Sequence, residues 1–328
     1  MIGFDDICGY ESVKEHMKNA IREKRPAHAY IISGPRYSGK KTLTQTFAAA
    51  LLCEKGGESP CMECISCKQV VSGNHPDLIN VIPTKTIAIS INDIREQLID
   101  TISIAPYKSN YKIYIIDEAE TMHVEAQNSL LKTLEEPPEY AVIILTAASK
   151  QKLIPTVLSR CVNLDLRPLD EKQIIDYLMK KKQAVDYQAR MAAAISGGNL
   201  GKAIKLVGDP EFMELQNSVL DLLVRVKDCE PAELMEMAKK ISDNKQNLED
   251  LFDIMLLWYS DVLLYKATAD ANSVRFTERV HDLRRASEQL NYDVVQNIIE
   301  TIEKSKQRIA ANVDTEIVLE LLLFAMKG

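Results

Sequence analysis

At 328 residues, with 46% hydrophobic and 27% charged side chains, the chain is long enough for two or three domains with full cores and has the composition of an ordinary soluble globular protein. No apolar run reaches membrane-spanning length, and the start Met1-Ile2-Gly3-Phe4-Asp5-Asp6 lacks a basic segment followed by a hydrophobic one, so no membrane span and no secretion signal are predicted and a cytoplasmic location is expected. A formal net charge of −7 and a pI near 5.5 argue against a surface that is one large nucleic-acid grip; any DNA contact should be local or shared with partners.

Residues 5–25 carry Ile7, Val13, Met17, Ala20 and Ile21 at mostly helical spacing, and Arg25-Pro26-Ala27-His28 leads into the apolar run Ala29-Tyr30-Ile31-Ile32-Ser33. His28 reads as a packed or hydrogen-bonded strand-edge residue, because nothing near it in sequence offers a base or ligand partner. Next comes Gly34-Pro35-Arg36-Tyr37-Ser38-Gly39-Lys40-Lys41-Thr42, opening a helical pattern from Leu43 to Leu52. A strand, a glycine turn and a helix start form the context in which backbone N–H groups cradle phosphates, aided by the positive end of the helix dipole. Gly34, Gly39 and Lys40 satisfy the phosphate-loop pattern, but Lys41 stands where a magnesium-ligating hydroxyl belongs. An ammonium has no lone pair to give a metal, and Thr42 is turned by about 100° around the helix. The sequence therefore predicts a degenerate phosphate loop that can still hold a nucleotide but is poorly equipped to hydrolyse it, with ATP and Mg²⁺ binding expected to be weak or absent.

Cys53, a glycine-containing loop from Glu54 to Pro60, and Cys61-x-x-Cys64-x-x-Cys67 follow. Four thiols that local chain reversals can gather match a tetrahedral structural zinc site with no open position; disulfides are the alternative, disfavoured in a reducing cytoplasm. Cys8, Cys161 and Cys229 are scattered and read as small core hydrophobes. Leu78-Ile79-Asn80-Val81-Ile82-Pro83 reads as a buried strand, and a helix capped by Ser90 or Asn92 should run to about Thr101. Lys112-Ile113-Tyr114-Ile115-Ile116-Asp117-Glu118 is an apolar strand ending in two carboxylates, the form in which an Asp holds a magnesium shell and the next Glu polarises the attacking water. Weak by itself, this signal gains force from the phosphate loop upstream.

Ala119 to Glu136, with Met122, Ala126, Leu130, Leu131 and Leu134 on one stripe, reads as an amphipathic helix stopped by Pro137-Pro138. Ala141 to Thr146 and Val162 to Leu166 are further strands, so strands alternating with helices call for a parallel sheet covered on both faces. From Asp170 the strand signals vanish. Lys180-Lys181-Lys182 closes a helical pattern from Glu171, where cations suit the dipole. Short helices run to about Val207, broken at Gly197-Gly198-Asn199 and ended by Gly208-Asp209-Pro210, which marks a boundary; long helices with Leu and Ile stripes follow, holding Trp258 as a core residue.

With these segments in hand, the chain resembles bacterial clamp-loader subunits of the AAA+ class along nearly its whole length. The most specific stretches are Ala126-Gln127-Asn128-Ser129-Leu130-Leu131-Lys132-Thr133-Leu134-Glu135-Glu136-Pro137-Pro138 and Leu158-Ser159-Arg160-Cys161, together with the four cysteines between the phosphate loop and Asp117. The resemblance implies an α/β P-loop (AAA+) domain at 1–167 with parallel sheet and a zinc module inserted at about 53–67. A small helical lid domain would follow at 168–209, and an all-α C-terminal collar domain at 210–328. Within the family the pattern is most similar to the delta-prime type of DNA polymerase III subunit. The ATP-hydrolysing type has a polar sensor where Ala147 or Ala148 stands and a sensor arginine where Gly201 stands.

By the same resemblance, Arg160 matches an arginine finger that acts in trans on a neighbour's ATP. Gly34, Gly39, Lys40, Thr42 and Asp117 would form a relic nucleotide site, with Glu118 as its catalytic candidate. The implied partners are tau/gamma motor subunits and delta in a pentameric hetero-oligomer. The sliding clamp and primer-template DNA would be met through that assembly. The rival within the family is an ATP-hydrolysing motor subunit; a free-standing zinc-dependent nucleic-acid binder is disfavoured by the acidic balance.

Overall fold

A computed structural model describes residues 3–84, 88–243 and 248–327, in two compact units, Met1–Leu169 and Asp170–Gly328. In the first, a short 3₁₀ turn at Phe4–Asp6 precedes α1 (Glu11–Arg22). Then come β1 (Ala29–Ser33), α2 (Lys40–Leu51), α3 (Ile65–Ser72) and β2 (Leu78–Val81). α4 (Ile91–Ile94) runs through a wide π segment, Arg95–Ile99, into α5 (Asp100–Ile102). β3 (Lys112–Ile116), α6 (Val124–Glu135), β4 (Ala141–Ala147), α7 (Pro155–Leu158) and β5 (Val162–Asp165) complete the unit.

The five strands form one parallel sheet in the order β2-β3-β4-β1-β5, with Ile31 opposite Leu145 and Ile32 opposite Leu164. Alternation along each strand feeds two cores. Tyr30, Ile32, Ile113, Ile115 and Ile144 pack with Met17 of α1 and Phe47 of α2; Ala29, Ile31, Tyr114, Ile143 and Leu145 pack with Ile94, Leu98 and Leu130 from the opposite helices. Such burial is why β1, β3 and β4 read as unbroken apolar runs: parallel strands have no wet face, and each large apolar side chain removed from water contributes about 1.5–3 kcal/mol.

Two helices depart from their expected spans. α6 begins at Val124 rather than Ala119: Ala119–Thr121 forms a separate 3₁₀ turn, and the extended backbone of Met122 and His123 interrupts the run before Val124. The buried stripe is then Ala126, Leu130 and Leu134, while Leu131 is only partly buried. At α4 the cap is Ser90, which accepts from the Asp93 N–H at 3.3 Å, while the Asp93 carboxylate accepts from the Ser90 N–H at 2.8 Å.

The second unit is helical among its described residues: α8 (Glu171–Lys182), α9 (Asp186–Ser196), α10 (Leu200–Val207), α11 (Pro210–Arg225), α12 (Pro231–Asp243), α13 (Leu248–Thr268), α14 (Val280–Gln289), α15 (Tyr292–Ala310) and α16 (Thr315–Lys327). Trp258 is buried on α13, edge-on to Phe276 at 5.4 Å between ring centres. Asp261, one turn along, accepts from the backbone N–H groups of Arg275 and Phe276 at 2.6 and 3.0 Å and from the Arg275 guanidinium at 3.2 Å, which fastens the chain after α13 back onto it. Among the described residues no helix is long and apolar enough to cross a membrane.

Candidate functional site

The phosphate loop joins the C-terminal end of β1 to α2. Gly34 is required by close approach: a Cβ there would meet Leu166 Cβ and Ser38 Oγ, each at 3.0 Å. Gly39 caps α2 with φ 86°, a conformation that favours glycine. Lys40 turns inward, its ammonium donating to the carbonyls of Gly34 and Pro35 at 2.6 and 2.7 Å, and burial pushes its pKa down. The loop thus spends its lysine on its own backbone.

β3 brings Asp117 and Glu118 to the same end of the sheet. Lys41 Nζ lies 3.6 Å from Asp117 Oδ2, and Arg36 lies 4.0 Å from Glu118 Oε1. An ammonium therefore faces the carboxylate that would hold a metal's shell in an ATPase of this plan. The residues present depart from a magnesium-nucleotide site at one position: a cation stands after Lys40 in place of a hydroxyl, and it faces Asp117 across 3.6 Å.

Thr146, second from the end of β4 and fully buried, was not among the residues the sequence singled out. Its hydroxyl donates to Asp117 Oδ1 at 2.5 Å and accepts from the Glu118 N–H at 3.1 Å, so it fixes both acids. One polar residue in an otherwise apolar strand was the available signal. Ala147 ends β4 and Ala148 follows it, neither bearing a polar side chain; the Ala148 N–H donates to Glu120 at 2.9 Å.

A cleft of about 220 Å3 beside the loop is lined by Lys41, Thr44, Asn80, Asp117 and Thr146 among others. Thr42, expected in the site, is exposed and does not line it; Thr44 does. The buried hydroxyls of Ser38 and Thr44 have no hydrogen-bond partner among the described residues. In the second unit Gly201 lies in the first turn of α10, and Lys202 beside it pairs with Asp250 at 2.6 Å.

Arg160 stands elsewhere. It precedes β5, whose Val162 pairs with Tyr30 at the start of β1, so it lies at the end of the sheet opposite the phosphate loop. From His28 to Gly34 the strand advances about 20 Å at roughly 3.3 Å per residue, and the Arg160 carbonyl accepts from His28 Nε2–H at 3.1 Å. The guanidinium is one-third exposed; its Nε and Nη2 donate to Glu135 Oε1 at 3.0 and 2.5 Å, and its Nη1 to Thr156 O at 2.9 Å and Ser159 Oγ at 3.3 Å.

The thiols of Cys53, Cys61, Cys64 and Cys67 converge, with all four sulfurs within 4.8 Å of one another. Cys53 follows α2, and Cys64 caps α3, accepting from the Cys67 N–H at 3.4 Å; the Cys64 N–H donates to Cys61 Sγ at 3.4 Å. The N–H groups of Cys64 and Glu63 pull the Cys61 thiol down to about 6, whereas burial pushes Cys67 up. Tetrahedral zinc with Zn–S bonds of about 2.3 Å needs sulfurs about 3.8 Å apart, and Cys61 and Cys67 are already at 3.9 Å. The donor set fits a closed four-thiolate metal site.

A parallel sheet with a glycine-rich loop after β1, paired acids after β3 and helices on both faces defines the P-loop nucleotide-binding class. Two family models match the chain, "DNA polymerase III, delta subunit" over residues 9–170 and "DNA polymerase III, delta subunit, C terminal" over residues 210–327. The delta' subunit of DNA polymerase III from Bacillus subtilis (strain 168) is 30% identical over 319 residues, covering 96% of this chain and 95% of that protein. The tau subunit of the same organism is also 30% identical, over 332 residues, but the chain spans only 58% of its length. A solved structure of a gamma-subunit-related protein from Thermotoga maritima aligns over 96% of this chain and 98% of that one, at 21% identity and a TM-score of 0.39, too loose a superposition to add to the case. The chain belongs to the family of bacterial DNA polymerase III clamp-loader subunits.

Proposed function

We propose that the chain is a delta-prime-like stator of the DNA polymerase III clamp loader: it hydrolyses little or no ATP itself and supplies Arg160 in trans to ATP held by a neighbouring tau/gamma-type subunit. The observation that carries this reading is the Lys41–Asp117 pair, which sets a cation where a working ATPase would hold its metal. The position of Arg160 supports it, since a side chain at the far end of the sheet is out of reach of the chain's own phosphate loop. A guanidinium is permanently charged, planar and forked, suited to charge spreading over a transferring phosphoryl group. In this reading residues 168–209 form a lid and residues 210–328 a collar joining a pentameric ring with delta and the motor subunits, in the cytoplasm. The sliding clamp and primer-template DNA are met through the assembly.

The four cysteines would hold a structural zinc, which ties the end of α2 to the start of α3.

The test is the ATPase of the reconstituted loader. With Arg160→Ala, turnover at the one dependent site should fall by about 10³-fold or more, the usual worth of such an arginine; an unchanged rate in the presence of clamp and DNA removes the finger. A second reading, a motor subunit, is favoured by the retained Asp117 and Glu118 and by the equal identity to tau. Tight, magnesium-dependent ATP binding by the purified chain would select it.

A further inference from the structure

Glu135 is the last residue of α6, where the negative end of the helix dipole disfavours a carboxylate, and Glu136 follows it as the cap. Two acids at a helix C-terminus call for a cation, and Arg160 supplies one: a single oxygen of Glu135 receives both Nε–H and Nη2–H. The root of the same arginine is held separately. His28 binds its carbonyl, the Asn163 side-chain amide donates to Leu158 O and Cys161 O at 3.0 Å each, and Thr156 O and Ser159 Oγ hold Nη1. Thus His28 and Asn163 fix the backbone of the turn, neutral acceptors of the arginine's own turn hold Nη1, and the Nε–Nη2 edge of the guanidinium is detained by one half-exposed acid.

We propose that Glu135 is a positioning residue that restrains Arg160, holding the fork against this chain until a neighbour's triphosphate displaces the carboxylate. The inference rests on the trans role of Arg160 and adds its control. An ion pair with both side chains this open to water is weak and exchangeable, which suits a restraint that a polyanion must overcome. A phosphoryl group offers oxygens to the same N–H pair with greater charge, and the acid then stands free in solvent. Before that exchange, the carboxylate partly cancels the arginine's charge and repels the phosphates.

The test uses the loader reconstituted from this chain and the tau/gamma-type ATPase of the same cell, with ATPase measured without and with clamp and primed DNA. Glu135→Gln keeps the shape and an acceptor oxygen but removes the charge; it should raise the unstimulated rate at least threefold and leave the stimulated rate within twofold. Glu135→Asp, which keeps the charge, should return the unstimulated rate toward the wild-type value, and Glu135→Gln combined with Arg160→Ala should match Arg160→Ala alone. A merely structural role for Glu135 would lower both rates together. If Arg160→Ala abolishes stimulation while Glu135→Gln leaves the unstimulated rate unchanged or lower, the restraint is overturned and the finger stands; if Arg160→Ala changes nothing, both are overturned.

Discussion

Replacing Lys41 by threonine is the sharpest perturbation of the nucleotide site. It removes the ammonium that faces Asp117 at 3.6 Å and puts a hydroxyl at the second position of α2. At that separation two unit charges attract by about 1 kcal/mol in water and about 4–5 kcal/mol at an effective dielectric of 20. Lys41 and Asp117 are 72% and 41% exposed, so the lower figure applies. Stability should therefore change by less than about 1 kcal/mol, partly because a cation in the first turn of a helix is itself unfavourable. For a metal the balance is different: Mg²⁺ in the wild type must displace the ammonium from Oδ2 of Asp117, and in Lys41→Thr it meets that oxygen released and a new oxygen ligand, with Oδ1 still held by Thr146. Isothermal titration of ATP into the purified variant should show binding that tightens at least about tenfold on adding Mg²⁺, one decade being about 1.4 kcal/mol, whereas the wild type should be indifferent to the metal. A folded Lys41→Thr protein with an unchanged melting temperature and no magnesium effect would refute the reasoning and shift the block to Lys40, which binds its own loop.

Further outcomes follow from other parts of the molecule. Protein purified without chelator should carry one zinc per chain, and Cys61→Ser should lose it and lower the melting temperature by about 4–8 °C, corresponding to about 2 kcal/mol in a domain of this size; full metal retention would count against the four-thiolate site. The buried Asp93 carboxylate, held by the hydroxyls of Thr84 and Ser90, has its pKa drawn down to about 2. A depressed acid contributes stability above its unfolded value and loses it as pH falls through the folded one. The advantage of the wild type over Asp93→Asn in thermal melts, on the order of 1–2 kcal/mol, should therefore hold above about pH 4 and shrink between pH 4 and 2. A difference that stays constant over that interval would refute the assignment.

The central strands β1, β3 and β4 could be found in the sequence because their apolar runs are bounded by turns, and the phosphate loop because its glycines sit between a strand and a helix; β5 alternates apolar and polar residues, and β2, expected to be buried, is an edge strand in which only Val81 is buried. The periodicities state which face of an element is buried but not which element lies beside it. That is why Lys41 appeared only as a missing ligand, while its pairing with Asp117 depends on β3 and α2 meeting at one end of the sheet. Thr146 escaped notice for the same reason: its partners are 28 and 29 residues away, on a strand brought alongside by register. The early start assigned to α6 has a local cause instead. Ala119 to Met122 reads as helix by composition, and the run does begin as a 3₁₀ turn, but the extended backbone at Met122 and His123 that separates it from α6 leaves no mark in the residue types.

A sheet whose strands all run the same way has two unlike ends, and that gives the chain a direction. One end would give an arginine and the other would receive one, and here the receiving end carries its own cation. In any head-to-tail series of such chains, contacts are heterologous, each joining one molecule's giving end to the next one's receiving end. A member that gives but cannot receive is a terminus for function even where the chain of contacts continues. A series containing it would then have at least one fewer working phosphate site than it has subunits.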